Sequence, residues 1–193
     1  MSPRPEPFPE LSESERKRLL ELARAAVGLA AREGRRFHPP PETGANLVNP
    51  RAVFVSLHKK GHLRGCIGQV AARLPLYRAV PEVAYSAALE DPRFEPLAPE
   101  ELPQVSIEVS VLSDFFPIRP EEVRVGTHGL MILREGARGL LLPQVAAQYR
   151  WDAQRFLEEC CVKAGLEPDA WNRGAQILAF TAQVFGEGEE GPR

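Results

Sequence analysis

The residues of this 193-residue chain with the clearest chemical potential form the hexapeptide LRGCIG at positions 63–68. Arg64 carries a planar cation that can hold a carboxylate or phosphate through two hydrogen bonds. Cys66 supplies a thiol, and a neighbouring arginine favours its reactive thiolate form. Gly65 and Gly68 allow the backbone to adopt positive φ or to lie against a ligand. The pattern predicts a small anion site beside a nucleophilic sulfur, with Cys66 lining an accessible cleft.

A purely structural interpretation fits the same six residues. Two glycines around Cys66 could make a bulge or tight bend in a curved sheet. Free cysteine is among the most buried residue types and commonly behaves as a small hydrophobe. Regular alternation would place Arg64 and Cys66 on one face of a strand, whereas a bulge would break that relation. Both interpretations stay open at this point.

Four residues elsewhere in the chain are further candidates for ligand binding. Asp91 and Arg93 follow the end of a predicted helix, where Asp-Pro is ordinary turn chemistry; the functional alternative has both lining the cleft, with Asp91 holding Arg64. Glu108 lies on the polar face of a predicted strand and becomes a candidate general base if that face is wet. His128, between Thr127 and Gly129, is the histidine to test first.

The composition favours a cytoplasmic protein without a resident metal. His58 and His62 flank a turn, and no second ligand pair stands at zinc spacing, so we predict no metal site. Three cysteines, two of them adjacent, are a poor disulfide framework and suit a reducing compartment. A net charge of -2 provides no footprint for nucleic acid, and no apolar run reaches the length of a membrane span. The sequence identifies no cofactor. An excess of Arg over Lys and 19 prolines fit a heat-adapted source, although codon bias would produce the same pattern.

The first half of the chain predicts a helix, a hairpin, a second helix and a strand. Ser12 and Glu15 form a capping box before a helical apolar pattern that ends at Gly34. Strands are predicted at 52–57 and 62–68, a helix at 76–90 and an alternating strand at 104–112.

The second half has a similar order of predicted elements, which indicates either an internal duplication or a chance similarity of short apolar motifs. Strands are predicted at 129–133 and 138–142, a helix follows Asp152, and a strand spans 176–184. Arg138-Gly139 occupies the place of Arg64-Gly65. We therefore predict an α+β fold in which duplicated strand-strand-helix-strand units form one barrel-like, mostly antiparallel sheet flanked by helices. Halves of about 50–115 and 126–185 lie in one domain, 14–185, between a flexible lead (1–13) and a flexible tail (186–193).

Several motifs in order resemble those of the AMMECR family. Besides the hexapeptide they are SAALEDPRF (86–94), VSVL (109–112), GTHGL (126–130), LLPQVA (141–146) and KAGL (163–166). The resemblance spans about residues 14–185 and implies an α+β duplication around a barrel-like sheet. It places the suspected site at the hexapeptide, with Arg64 and Cys66, and suggests Memo-like and radical-SAM proteins as partners. It brings no established reaction.

Three functions follow from these observations and remain open, so whether the protein is an enzyme is undecided. In the first, Cys66 is a nucleophile or redox thiol and Arg64 binds the anionic part of a small substrate. In the second, Arg64 and the glycine backbone hold a metabolite or peptide carboxylate without catalysis. In the third, the protein is an adaptor that docks on a partner.

Overall fold

The computed structural model describes residues 9–187, which divide into two compact units. We call the one that contains the hexapeptide the signature unit; it comprises residues 9–112 and 183–187. The second unit comprises residues 113–182. Residues 1–8 and 188–193, which belong to the predicted lead and tail, lie outside the described residues.

The described chain contains both helices and strands. The helices are α1 (Glu13–Glu33), α2 (Ala45–Val48), α3 (Leu76–Leu89), α4 (Pro143–Gln148) and α5 (Ala153–Lys163). The strands are β1 (Val53–Lys59), β2 (His62–Gln69), β3 (Val105–Leu112), β4 (Phe116–Pro117), β5 (Gly129–Arg134), β6 (Ala137–Leu141), β7 (Gln176–Phe180) and β8 (Ala182–Gly186). Short 3-10 helices occupy Pro99–Gln104, Pro120–Glu122 and Ala170–Asn172.

Helix α1 begins and ends where the sequence predicts. The Ser12 side chain accepts a hydrogen bond from the Glu15 amide, the Glu15 carboxylate accepts one from the Ser12 amide, and Gly34 ends the helix with a φ of 66°. Within the predicted lead, Leu11 is buried, and its amide donates to the side chain of Gln183. Residues next to the helix are therefore packed rather than free.

The sheet of the signature unit has the strand order β2-β1-β3-β8. β1 pairs antiparallel with both β2 and β3, and α3 packs against β1 and β2. The alternating residues that the sequence assigns to the buried face of β3 are all buried: Val105, Ile107, Val109 and Val111. The opposite face of the sheet carries the polar side chains, and β2 forms one edge.

The sheet of the second unit has the order β4-β7-β5-β6, with antiparallel pairs throughout. Helix α5 is capped by the Asp152 side chain, which accepts from the Arg155 amide at 2.7 Å. Phe156, Leu157 and Cys160 of α5 are buried in the core that covers this sheet.

The α+β class is confirmed, but the single barrel-like sheet is wrong. The described residues form two four-stranded sheets and no closed barrel. The chain changes sheet after β3, because the Leu112 amide bonds Ala52 whereas the Ser113 amide bonds Thr181. The predicted strand 176–184 is likewise two strands, β7 and β8, which belong to different sheets and meet at Thr181. No helix within residues 9–187 combines the length and apolar character needed to cross a bilayer.

Candidate functional site

The hexapeptide lies on β2 and contains a bulge at Arg64. Leu57 of β1 pairs with Gly65, but the next residue, His58, pairs with Leu63, so Arg64 is the extra residue of the edge strand. The simple alternation that would place Arg64 and Cys66 on one face is interrupted between them. Their surroundings consequently have to be considered separately.

Arg64 is engaged by a segment that follows α3. Its Nε and Nη2 atoms donate to the two carboxylate oxygens of Glu101 at 3.0 and 2.8 Å, and the guanidinium also reaches the carbonyls of Glu95 and Pro96. Only 16% of the Arg64 side chain is exposed. These bonds from Arg64, with a further one from Lys59, lower the pKa of Glu101 to about 2. The carboxylate that holds Arg64 is therefore Glu101, and not Asp91 as in the functional alternative considered from the sequence.

Asp91 instead holds Cys66 and Arg93. Its Oδ2 accepts from the Cys66 amide at 2.8 Å and from Nη2 of Arg93 at 2.7 Å, while Oδ1 accepts from Nε of Arg93 at 2.9 Å. Hydrogen bonds from Arg93, opposed by burial, lower the pKa of Asp91 to about 2. The carboxylate is thus an anion at neutral pH although its side chain is only 2% exposed.

The ion pair of Asp91 and Arg93 forms hydrogen bonds with both backbone groups of Cys66. The amide donates to Asp91, and the carbonyl accepts from Nη2 of Arg93 at 2.9 Å. β2 is an edge strand, so without these partners both groups would be open to another chain. Because the amide and carbonyl of Cys66 point away from β1, Cys66 and Ser56 form a pair without backbone hydrogen bonds between them. In antiparallel sheets this is the kind of pair whose side chains come closest.

The thiol of Cys66 lies between a serine and an arginine. Ser56, which is 7% exposed, directs its Oγ to the Cys66 Sγ atom at 3.2 Å. The guanidinium of Arg93 also interacts with Cys66, which after Asp91 contributes to raising the pKa of Arg93. Cys66 is half-buried, and 52% of the Arg93 side chain is exposed. A permanent cation that faces solvent therefore stands beside a partly accessible sulfur.

Glu108 belongs to the same row of the sheet. Ser56 is opposite Cys66 on one side and opposite Glu108 on the other, so three neighbouring strands present a thiol, a hydroxyl and a carboxylate on one face. Glu108 is half-buried. Ser56 carries no signal in the sequence that points to the site, because only the register between strands shows that it adjoins Cys66.

Packing accounts for the two glycines of the hexapeptide. A Cβ atom on Gly65 would lie 2.2 Å from the Ala87 carbonyl oxygen of α3, and one on Gly68 would lie 2.1 Å from the ring of Phe54. Protein atoms occupy the space that a side chain would need at both positions. The role in ligand binding that we predicted for these glycines stays a prediction.

The last candidate, His128, belongs to the second unit, which also contains Cys160 and Cys161. The Nδ1 atom of His128 accepts from the Arg124 amide at 3.2 Å, and its ring packs edge-on against Phe116. Cys160 and Cys161 are fully buried, and burial raises the pKa of both thiols, that of Cys160 to about 12. Within residues 9–187, no group of three or more His, Cys, Asp or Glu side chains is arranged to hold a metal ion.

Comparisons with known proteins agree with the resemblance seen in the motifs. A protein of Methanothermobacter thermautotrophicus is 43% identical over 188 residues, which cover 93% of this chain and 98% of that protein. A protein of Thermococcus gammatolerans is 42% identical over 181 residues, 88% of either chain. The crystal structure of uncharacterized protein PH0010 from Pyrococcus horikoshii has a TM-score of 0.84 at 37% identity and covers 90% of this chain and 92% of its own. The AMMECR1 family model matches residues 20–185, nearly all of both units, and the chain therefore belongs to the AMMECR1 family.

Proposed function

We propose that the signature unit contains a thiol site for a small anionic substrate, in which Cys66 is the nucleophile and Arg93 binds the anion. The observation that carries this proposal is the bond between Arg93 Nη2 and the Cys66 carbonyl, which fixes a half-exposed guanidinium beside the thiol. Asp91 holds both partners and is the positioning residue of the site.

Arg93 is better placed for the anion than Arg64, the residue that the hexapeptide pattern predicts for that role. Arg64 already has a bidentate carboxylate partner and two carbonyl acceptors, and its side chain is mostly buried. An incoming anion would have to displace Glu101 from it. Arg93 is also paired with a carboxylate, Asp91, through Nε and Nη2. Its side chain is nevertheless 52% exposed, so an anion can approach the guanidinium from solvent while Asp91 stays in place.

Two alkylating reagents of similar size but different charge test this assignment. Iodoacetate is an anion and iodoacetamide is neutral, so the ratio of their rates at Cys66, divided by the same ratio for free glutathione, measures anion attraction at the thiol. A half-exposed ion pair contributes about 1 kcal/mol, so we expect a preference for iodoacetate of about fivefold. The rates are followed by mass spectrometry of the Cys66 peptide, with buried Cys160 as the unreactive reference.

Variants of Arg93 provide the matched comparison. Arg93→Gln should abolish the preference, Arg93→Lys should keep most of it, and added salt should weaken it. A thiol that stays unmodified until the protein unfolds would refute the proposal. Equal preference in the wild type and Arg93→Gln would refute the anion role of Arg93.

The alternative function is a non-catalytic binding or adaptor module, in which Arg93 holds a carboxylate of a metabolite or peptide and the thiol is structural. The support for it is the hydrogen bond from Ser56, which leaves Cys66 well accommodated within the sheet. Cys66→Ser separates the two, because turnover would disappear whereas binding would largely survive. For either function the composition favours a cytoplasmic setting, and the resemblance suggests Memo-like and radical-SAM proteins as partners.

We also infer that the two units arose by internal duplication. The strand order β2-β1-β3 has the same form as β6-β5-β7. A Cβ atom on Gly139 would lie 2.6 Å from the Cys160 carbonyl oxygen near the end of α5, as one on Gly65 would meet α3. An experimental structure in which either helix ends away from its glycine would contradict this inference.

A further inference from the structure

A row of three side chains crosses the sheet of the signature unit on the face opposite the helices. Cys66 on β2, Ser56 on β1 and Glu108 on β3 are consecutive partners in register. The bulge at Arg64 lies outside this part of the ladder, so the alignment is regular here. Residues directly opposite each other project from the same face, and Ser56 therefore stands between the thiol and the carboxylate.

The contact between Ser56 and Cys66 and the register between Ser56 and Glu108 allow proton transfer along the row. Ser56 Oγ is 3.2 Å from Cys66 Sγ, and Ser56 is 7% exposed, so little water competes for its hydroxyl. Directly opposed residues of adjacent strands have Cα atoms about 5.5 Å apart when their backbones exchange hydrogen bonds. A glutamate side chain spans that separation to a hydroxyl, directly or through one water.

We propose that Glu108 is the base of the Cys66 site and that Ser56 relays the proton to it. This inference rests on the proposed function, because it explains how the thiol would be deprotonated. In the structure the Ser56 hydroxyl donates to the Cys66 sulfur, so for the transfer it turns toward Glu108. The thiol proton then passes to the Ser56 oxygen while the Ser56 hydroxyl proton passes to the Glu108 carboxylate. The thiolate then bonds to an electrophilic carbon of an anionic substrate, and the leaving group departs with its bonding electrons; Glu108 returns the proton to water.

The relay makes a prediction opposite in sign to that of simple electrostatics. A carboxylate that acted only through its negative charge would disfavour the thiolate, so Glu108→Gln would speed alkylation of Cys66. A carboxylate that accepts the proton predicts slower alkylation. General bases contribute a factor of about 100 or more in evolved reactions, and we expect at least about a tenfold loss with a simple alkylating reagent.

The experiment measures the rate of Cys66 alkylation by iodoacetamide in the folded full-length chain. In this reaction a C–S bond forms, the C–I bond breaks and iodide leaves. Glu108→Gln and Ser56→Ala should each slow the reaction, and the double variant should be no slower than the slower single variant, because the two groups act in series. Ser56→Thr, which keeps the hydroxyl, should restore the rate.

Two control variants lie on the same face. Ser106→Ala removes an exposed hydroxyl one row away on β3 and should leave the rate unchanged. His58→Gln tests a competing base, since His58 lies two residues from Ser56 on β1 and its Nε2 atom is buried without a hydrogen-bond partner among the described residues. Thermal unfolding of every variant confirms that it is folded at the assay temperature.

The outcomes separate the relay from the function on which it rests. A rate that rises or stays the same in Glu108→Gln, losses that multiply in the double variant, or a loss only in His58→Gln would each overturn the relay. A Cys66 that no reagent modifies in the folded protein would overturn both. If iodoacetate is not preferred but the losses appear as expected, the relay stands and only the anion role of Arg93 fails.

Discussion

Replacing Asp91 by Asn should destabilise the signature unit in a pH-dependent manner. Asp91 has an ordinary pKa of 3.8 and a pKa of about 2 in the folded protein, chiefly because Arg93 donates hydrogen bonds to it. A carboxyl group whose pKa is lower in the folded than in the unfolded protein stabilises the fold at pH values above its unfolded-state pKa. That stabilisation is lost as the pH falls toward the folded-state pKa. At 1.36 kcal/mol per pH unit, the stabilisation at pH 7 is about 2 kcal/mol.

The magnitude at lower pH follows from the same two values. At pH 3 the folded carboxyl is still mostly ionised whereas the unfolded one is mostly protonated, so about half of the stabilisation remains. Urea unfolding at pH 7 and pH 3 measures both free energies. We expect Asp91→Asn to be less stable than the wild type by about 2 kcal/mol at pH 7, and we expect that difference to shrink by about 1 kcal/mol at pH 3.

The control and the refutation use the same assay. Glu100→Gln, which changes an exposed carboxylate outside the Asp91–Arg93 pair, should show a small difference at both pH values. A stability difference for Asp91→Asn that is the same at pH 7 and pH 3 would show that the ionised carboxylate is not what the fold requires. The attribution of the low pKa to Arg93 would then be wrong.

Three further predictions follow from the geometry of the hexapeptide. Arg64→Lys should lower the free energy of unfolding by about 1–2 kcal/mol, because lysine cannot reproduce the bidentate pair with Glu101. The same variant should leave the iodoacetate preference of Cys66 unchanged, and a lost preference would show that Arg64 binds the anion. Gly65→Ala should lower the free energy of unfolding in urea by about 2–3 kcal/mol, since its Cβ would lie 2.2 Å from a carbonyl oxygen of α3. The control Gly44→Ala meets only ordinary contacts and should lower it by less than about 1 kcal/mol. Equal losses would contradict the close approach of α3. Elemental analysis of the purified protein should find no stoichiometric zinc or iron, and about one tightly bound metal per chain would overturn that prediction.

Local signals in the sequence predicted the elements well. The capping box of Ser12 and Glu15 and the alternation along β3 depend only on neighbours in sequence, and both are present as expected. The strand predicted at 176–184 was wrong because apolar character continues across Thr181. Its amide bonds the Ser113 side chain, a contact with a residue 68 positions away that no local pattern reveals.

The composition of the site was harder to predict because it depends on register. The glycines of the hexapeptide indicated a bulge or a close approach of the backbone to another part of the protein. The sequence alone could not show that the extra residue of the bulge is Arg64. The partner of Arg64, Glu101, comes from a 3-10 helix 37 residues along the chain. Ser56 carries no motif, and its importance appears only when β1 is aligned with β2.

The arrangement explains why the hexapeptide and the segment DPR at residues 91–93 lie together. A cysteine on an edge strand has an amide and a carbonyl that would otherwise face solvent, and the Asp91–Arg93 pair satisfies both. The same pair places a guanidinium beside the thiol. One set of bonds therefore satisfies the backbone of the edge strand and fixes a cation next to Cys66. Arg64 secures the segment that follows this pair through Glu95, Pro96 and Glu101. In this interpretation the arginine of the hexapeptide positions the loop and the arginine outside it meets the ligand, so substitutions of Arg64 should reduce stability first and substitutions of Arg93 should change the chemistry of the thiol first.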